Sequence, residues 1–247
     1  MNTLHYLQPT ALLDYQHPDI VRLIEKQQWK DLRDPVLLVR SIYNFVKDEI
    51  HFGYNREDAI PASEVLQDGF GQCNTKATLL MALFRAVGIP CRIHGFTIYK
   101  ALQKGSVTGI WYRLSPDDIL HSWVEVWLND KWYILEGVIL DKVYLNALQQ
   151  ENKECKGTFC GFGAYTDNLA EPPVEWNLND TFIQDKGINR ELGIFNAPDD
   201  FYAVHRQQLN VVQRFVFKYI VRHLMNRNVE KIRRKHIITK SGSSPII

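Results

Sequence analysis

Long apolar runs are missing from this 247-residue chain: no stretch approaches the roughly 18 residues that a membrane-crossing helix needs. No membrane span is therefore expected. The opening, MNTLHYLQPTALLDYQHPDI, has no basic stretch followed by an apolar core, so no secretory leader is expected either. Cysteine is scarce, with four in all (Cys73, Cys91, Cys155 and Cys160) and no Cys-x-x-Cys. Cys155 and Cys160 have no histidine at ligand spacing, which argues against a zinc site, and so small a number in so long a chain argues against a disulfide scaffold. No metal and no cofactor is expected, and a reducing, cytoplasmic location fits. Internal repeats and low-complexity segments are absent. What remains is the composition of an ordinary globular protein, 45% hydrophobic and 23% charged, long enough to bury a sizeable core as one domain.

Excess charge of either sign is also lacking in the chain as a whole, at net +1, but not in its parts. From Phe201 to Ile247 there are ten Lys or Arg and one acid, Glu230, and the acidic surplus lies upstream. Aromatic residues are not interleaved with the terminal basics, so no nucleic-acid partner is expected. The expectation is that a basic C-terminal helix docks on the acidic body and keeps the protein off polyanions.

The chain falls into three stretches: N-terminal helices over 1–52, a core over 53–145, and an extension over 146–247. Residues 18–28 and 35–49 each begin at a proline and repeat apolar residues three and four apart, which predicts amphipathic helices. After Pro90 the period shortens to two. CRIHGFTI, SVTGIWYR, HSWVEVWL and KWYILE are predicted strands, with Asn129-Asp130 as the hairpin turn between the last two. Residues 146–196 look irregular, and a segment of that length is expected to border a cleft and restrict its access. A long helix is predicted from near Asp199 past Leu224, then a frayed tail, SGSSPII. Helices followed by an antiparallel sheet and a helical extension make an α+β fold.

Between these parts lies GFGQCNTKATLLMALFRAVGIPCR, residues 69–92. Thr75 to Val87 predicts a helix with almost no polar face, ended by Gly88 and Pro90. A cysteine in its first turn meets the positive end of the helix dipole, which favours thiolate over thiol. Such a nucleophile needs a base and a group to orient that base. Among eight histidines, His121 stands out because it opens a strand just after the loop LSPDDIL. A two-residue turn at Asn129-Asp130 sets Leu128 opposite Lys131 and Trp123 opposite Glu136. Glu136 then shares the face of His121 and Trp123, diagonally about 7–8 Å away. Glu125 lies on that face about 13 Å along the strand, and Asp141 would point to the other face.

These segments resemble the core of the transglutaminase-like superfamily, cysteine-dependent acyl-transfer enzymes related in design to papain. The likeness covers roughly residues 40–145 and rests on Gly-x-Cys opening a buried helix, the Arg-Ala-x-Gly-Ile-Pro-x-Arg exit, His-x-Trp-x-Glu-Val, and a Trp-led strand ending in an acid. It implies a papain/transglutaminase-like core in which Cys73 is the nucleophile, His121 the base and Glu136 the acid. The family's usual Asp-Pro is Glu136-Gly137 here, and Asn74 stands where animal transglutaminases carry tryptophan. The backbone amide of Cys73 and the side chains of Gln67 or Gln72 are the oxyanion candidates, Gln67 because papain-like proteases place a glutamine six residues before the cysteine. Trp123 is a candidate substrate contact.

The implied activity is attack on an amide or peptide carbonyl through a thioester, with a peptide, protein or small amide as partner. Hydrolysis is preferred over cross-linking, since nothing points to a water-excluding, lysine-admitting site. A non-catalytic binding module on the same fold is the rival, disfavoured by the intact cysteine, histidine and acid.

Overall fold

The computed structural model describes residues 3–241, with side chains through residue 235, and the predicted tail lies beyond it apart from Ser241. Helices α1 (Pro18–Lys26) and α2 (Pro35–Asp48) start at their prolines. Asp34 caps α2 by accepting from the amides of Val36 and Leu37, at 2.8 and 3.4 Å. The proline that follows has no amide to leave unpaired. Strand β1 (His51–Phe52) runs parallel to β2 (Phe70–Gly71), with helix α3 (Ala62–Asp68) between them. Helix α4 (Cys73–Ala86) is buried on every side from Cys73 to Arg85, its polar residues included, with Lys76 Nζ donating to the carbonyls of Lys47 (3.0 Å) and Ile139 (3.1 Å), and Gly88 ends it with φ +81°.

Next come β3 (Cys91–Tyr99), the short helix α5 (Gly109–Leu114), β4 (Asp118–Leu128), β5 (Lys131–Ile134) and helix α6 (Lys142–Glu151). The hairpin β6 (Phe159–Gly161) and β7 (Ala164–Thr166) leads to β8 (Ile188–Phe195) and helix α7 (Pro198–Val204). Helices α8 (Val211–Val216) and α9 (Arg222–Ser241) are joined by one wide helical turn, Phe217–Val221. The main sheet has the order β5-β4-β3-β8 with every pair antiparallel, and α4 packs against β4 and β3. The fold is α+β, as expected.

Three expectations need correction. The predicted strand SVTGIWYR becomes a loop and α5, because β8 already occupies the free edge of β3, pairing Ile93 with Phe195 through Ile98 with Ile188. Residues 146–196 are not merely irregular: they include most of α6, the β6–β7 hairpin, and β8. The long helix from Asp199 is broken between Val204 and Val211. There Gln207 accepts from the Leu120 amide (2.8 Å) and donates to the Asp118 carbonyl (3.0 Å), and Asn210 then caps a new helix through Gln213.

The second half of the basic extension does dock on the body. Met225, Val229 and Ile232 are buried, each worth about 1.5–3 kcal/mol if removed from water completely. Asn226 grips the Tyr54 backbone from both ends, at 2.7 and 3.1 Å. Arg233 pairs with Asp141, and Lys235 with Glu151.

Candidate active site

The cysteine is set in place by a tight approach. Gly71 passes so close to α4 that a Cβ there would stand 2.7 Å from Thr75 Oγ1 and 3.0 Å from Lys76 Cγ. Gln72 follows, its amide donating to Thr75 Oγ1 at 3.1 Å, and Cys73 is the first helical residue, at the positive end of the α4 dipole.

What brings that helix end to the sheet is the shortness of β5. Its ladder with β4 runs from Leu128–Lys131 to Glu125–Ile134, and the Leu135 amide makes a last bond to the Val124 carbonyl at 2.9 Å before the chain turns away. Beyond that point this edge of β4 is open. Asn74, next to the cysteine, fills it: Nδ2 donates to the Leu120 carbonyl (3.0 Å) and Oδ1 accepts from Ser122 Oγ (2.9 Å). The gap left by β5 is thus where α4 presents Cys73 to His121, which lies between those two residues.

Glu136 enters from the turn after β5. Its Oε1 lies 3.3 Å from His121 Nε2, with the ring and the carboxylate almost wholly out of solvent. The contact is close enough for an ion pair but lacks the alignment of a full hydrogen bond, and both ring nitrogens remain without an aligned partner. The carboxylate is held from behind by the backbone amides of Ile183 and Gln184. Gly137 is required beside it, since a Cβ would come within 2.8 Å of both Thr181 Cβ and the Tyr43 hydroxyl. Burial works against a charged His121, but the charge of Cys73, a hydrogen bond to it, and then Glu136 more than offset this, and the ring is pushed up to about 10. The Cys73 sulfur and Glu136 thus both favour the charged form of the ring.

Other residues fall differently. Trp123 packs against Phe96 (ring centroids 4.0 Å), His94 and Phe182, and its indole N–H points to Glu125, so it walls the site as an apolar surface. Glu125 is paired with Arg92 and His94. Gln67 is corrected: α3 carries it to the surface, where its amide donates to Asp19 at 2.6 Å. Gln72, beside Cys73, donates from Nε2 to Asp58 (3.1 Å) and accepts at Oε1 from the Asn55 amide (3.0 Å). Each glutamine NH₂ thus has one of its two N–H donors engaged, Gln67 at the surface and Gln72 in the interior.

Sequence reasoning missed Tyr202 and Asp58. Tyr202, on α7, is buried with its hydroxyl lacking an aligned partner; burial raises that hydroxyl well above the usual phenol range, the charges of Asp58 and Cys73 add to the rise, and Ser122 opposes it. Asp58 is raised by burial, against the amides of Asn74 and Gln72. Neither lies in a local motif, so no sequence signal marked them. Within 146–196, the Ile183 and Gln184 amides hold Glu136 and the Phe182 ring meets Trp123.

Asp141 caps α6 through the Tyr144 amide (2.9 Å), accepts from the Phe52 amide (2.8 Å) and pairs with Arg233. Burial alone would raise its carboxyl, but Arg233 and these amides hold it below its ordinary value. Asp141→Asn is expected to leave turnover unchanged while lowering stability by about 3 kcal/mol, the scale for uncoupling a buried ion pair. Chemical denaturation beside an activity assay checks both halves; a stable but inactive variant would move the acid's role from Glu136 to Asp141.

Residues 24–137 match the family model described as the transglutaminase-like superfamily. No curated protein matches the chain. Among solved structures, a candidate cysteine protease from Cytophaga hutchinsonii is 13% identical with a TM-score of 0.46, over 81% of this chain and 48% of that one. Red sea bream transglutaminase is 19% identical with a TM-score of 0.30, over 53% of this chain and 25% of that one. The chain therefore spans about half the length of the first protein and a quarter of the second. Cys73, His121 and Glu136 all lie within residues 24–137, the part of the chain that is similar to the transglutaminase-like superfamily.

Proposed function

We propose that this protein is a cysteine-dependent acyl-transfer enzyme of the hydrolytic kind, acting on an amide or peptide carbonyl. The observation that carries the reading is the buried His121 ring, 3.3 Å from Glu136 on one side and charge-coupled to the Cys73 sulfur at a helix N-terminus on the other. In this reading the Cys73 thiolate adds to the carbonyl carbon, and the π electrons move onto oxygen. The Cys73 backbone amide and the Tyr202 hydroxyl stabilise that oxyanion, a term worth several kcal/mol in related chemistry. The C–N bond then breaks, His121 imidazolium gives its proton to the departing amine, and a thioester remains. Neutral His121 takes a proton from water, the hydroxide displaces the sulfur, and acid and thiolate are regenerated. Glu136 keeps the ring oriented and supports its charged form. Cys73 is 8% exposed, so only a small part of the residue is open to a substrate.

The test is acyl capture. Wild type and Cys73→Ala are incubated with cell lysate, and adducts on each cysteine are identified by mass spectrometry. Acyl groups are expected on Cys73 and absent from the variant. The other cysteines are internal controls for alkylation at pH 6: Cys91, whose burial pushes its thiol up to about 11, and the exposed Cys155 and Cys160. Cys73 should react faster than all three despite its burial. No adduct, together with alkylation no faster than the controls, overturns the reading.

A further inference from the structure

The expectation that the basic extension folds onto the body holds for only half of it. From Arg222 onward, α9 buries Met225, Val229 and Ile232. The helix upstream buries none of its residues completely: Phe217 and Val221 lean on the core, while a second set of apolar side chains faces outward, Val211 82% exposed, Val212 70%, Phe215 61% and Tyr219 55%. Spaced at one and four residues, these four form one stripe, within which the Phe215 and Tyr219 rings meet at 4.7 Å. An exposed apolar stripe of this kind marks an interaction surface.

The charges beside it say what kind. Between Phe201 and Val229 there is no acid, while Arg206, Arg214, Lys218, Arg222 and Arg227 are all basic. Arg214, Lys218 and Arg222 recur every four residues, so they form a row along the helix parallel to the stripe, and Lys218 Nζ sits 5.6 Å from the Tyr219 ring centre. Glu64 on α3 feels Lys218 and Arg222, but it is already bound by Arg56 at 2.6 Å and does not cancel the row.

We infer that the helix from Val211 to Leu224 lies on an anionic lipid surface, with Val211, Val212, Phe215 and Tyr219 in the interfacial layer and Arg214, Lys218 and Arg222 against the headgroups. A cationic row parallel to an aromatic and aliphatic stripe fits an extended charged plane better than a single acidic pocket. Pairing with a second copy would set two acid-free basic helices against each other, which opposes it. No helix among the described residues is long and apolar enough to cross a membrane, so the contact is peripheral.

Vesicle co-sedimentation tests this with the whole chain. The protein should bind phosphatidylcholine–phosphatidylglycerol vesicles, should bind pure phosphatidylcholine vesicles far less, and should lose affinity as salt is raised toward about 0.15 M, where the Debye length is about 8 Å. Arg214→Gln with Lys218→Gln removes two cations, each worth about five-fold near such a surface, so affinity should fall about 25-fold. Phe215→Ser with Tyr219→Ser should weaken binding at least about ten-fold through lost apolar insertion. Arg214, Phe215 and Tyr219 are exposed and Lys218 is half-buried, so circular dichroism checks that the fold is kept. Equal binding to both vesicle types, no binding at all, or indifference to either double variant overturns the inference. So does a concentration-dependent dimer that the Phe215/Tyr219 pair abolishes, which would make the stripe a self-interface. Binding to soluble polyglutamate with the same affinity and the same variant losses would make the partner an acidic polypeptide and likewise overturn it.

Discussion

Glu136→Gln is expected to slow acylation of Cys73 by about one to four orders of magnitude, the upper end being the loss a serine protease triad suffers on Asp→Asn. The geometry explains why the change is not conservative here. One carboxylate oxygen faces His121 Nε2 at 3.3 Å, and the carboxylate also accepts from the amides of Ile183 and Gln184. A carboxamide has one acceptor oxygen for these donors, and its NH₂ must turn toward either the ring or the backbone amides. If the NH₂ meets the ring, the imidazolium loses its counter-charge; if it meets the amides, the 181–184 segment loosens. Either way the charged ring is less favoured, so iodoacetamide alkylation of Cys73 at pH 6 should slow along with acylation by an activated ester such as p-nitrophenyl acetate. Glu136→Asp keeps the charge but withdraws it by one methylene and should retain part of the rate. Wild-type rates in Glu136→Gln would remove the acid from the mechanism.

The groups facing His121, Cys73 first and Glu136 after it, set a pH dependence of stability. The His121 ring is raised from about 6.5 to about 10 on folding. Its contribution is therefore fully present below about pH 6.5 and is lost as pH rises through about 10. In Glu136→Gln the raised value should drop, and the alkaline loss of stability should begin at lower pH.

How far the site could be read before the structure depends on how local each signal is. The hairpin was legible because Asn129 and Asp130 both adopt the left-handed conformation, φ 50° and 58°, that a two-residue hairpin turn requires. The register that follows sets Leu128 opposite Lys131. The same register explains why Glu136 approaches His121, although the ladder stops at Ile134 and the acid arrives from a turn rather than from a continuing strand. Helix α4 was legible from its apolar stretch Leu79–Phe84 and from Gly88 at its end, whereas the burial of Lys76, whose acceptors are the distant carbonyls of Lys47 and Ile139, was not. Strand β8 was not legible, since Ile188–Phe195 mixes charged and apolar residues without a clear period and owes its place to the open edge of β3. The Ile183 and Gln184 amides that hold Glu136 lie 47 and 48 residues away in sequence. Spacing borrowed from papain pointed to Gln67, but α3 turns it outward to Asp19.

Tyr202→Phe separates oxyanion stabilisation from nucleophile activation, because the two reagents that attack Cys73 differ in one respect. Acylation passes through a tetrahedral centre with a developing oxyanion, whereas alkylation by iodoacetamide displaces iodide and develops none. Removing the Tyr202 hydroxyl should slow acylation by about 10²–10³-fold, the measured scale for one oxyanion donor, and leave alkylation unchanged. Burial raises this hydroxyl well above the usual phenol range, so it carries its proton near neutral pH. Stability should not fall, since the oxygen has no aligned partner to lose and a buried, unsatisfied hydroxyl is itself unfavourable. A purely structural Tyr202 predicts the opposite pattern, with both reactions altered together or neither. Parallel slowing of acylation and alkylation would place the residue among the groups that hold Cys73 and His121 together, and equal rates for both would leave the Cys73 backbone amide as the oxyanion's donor.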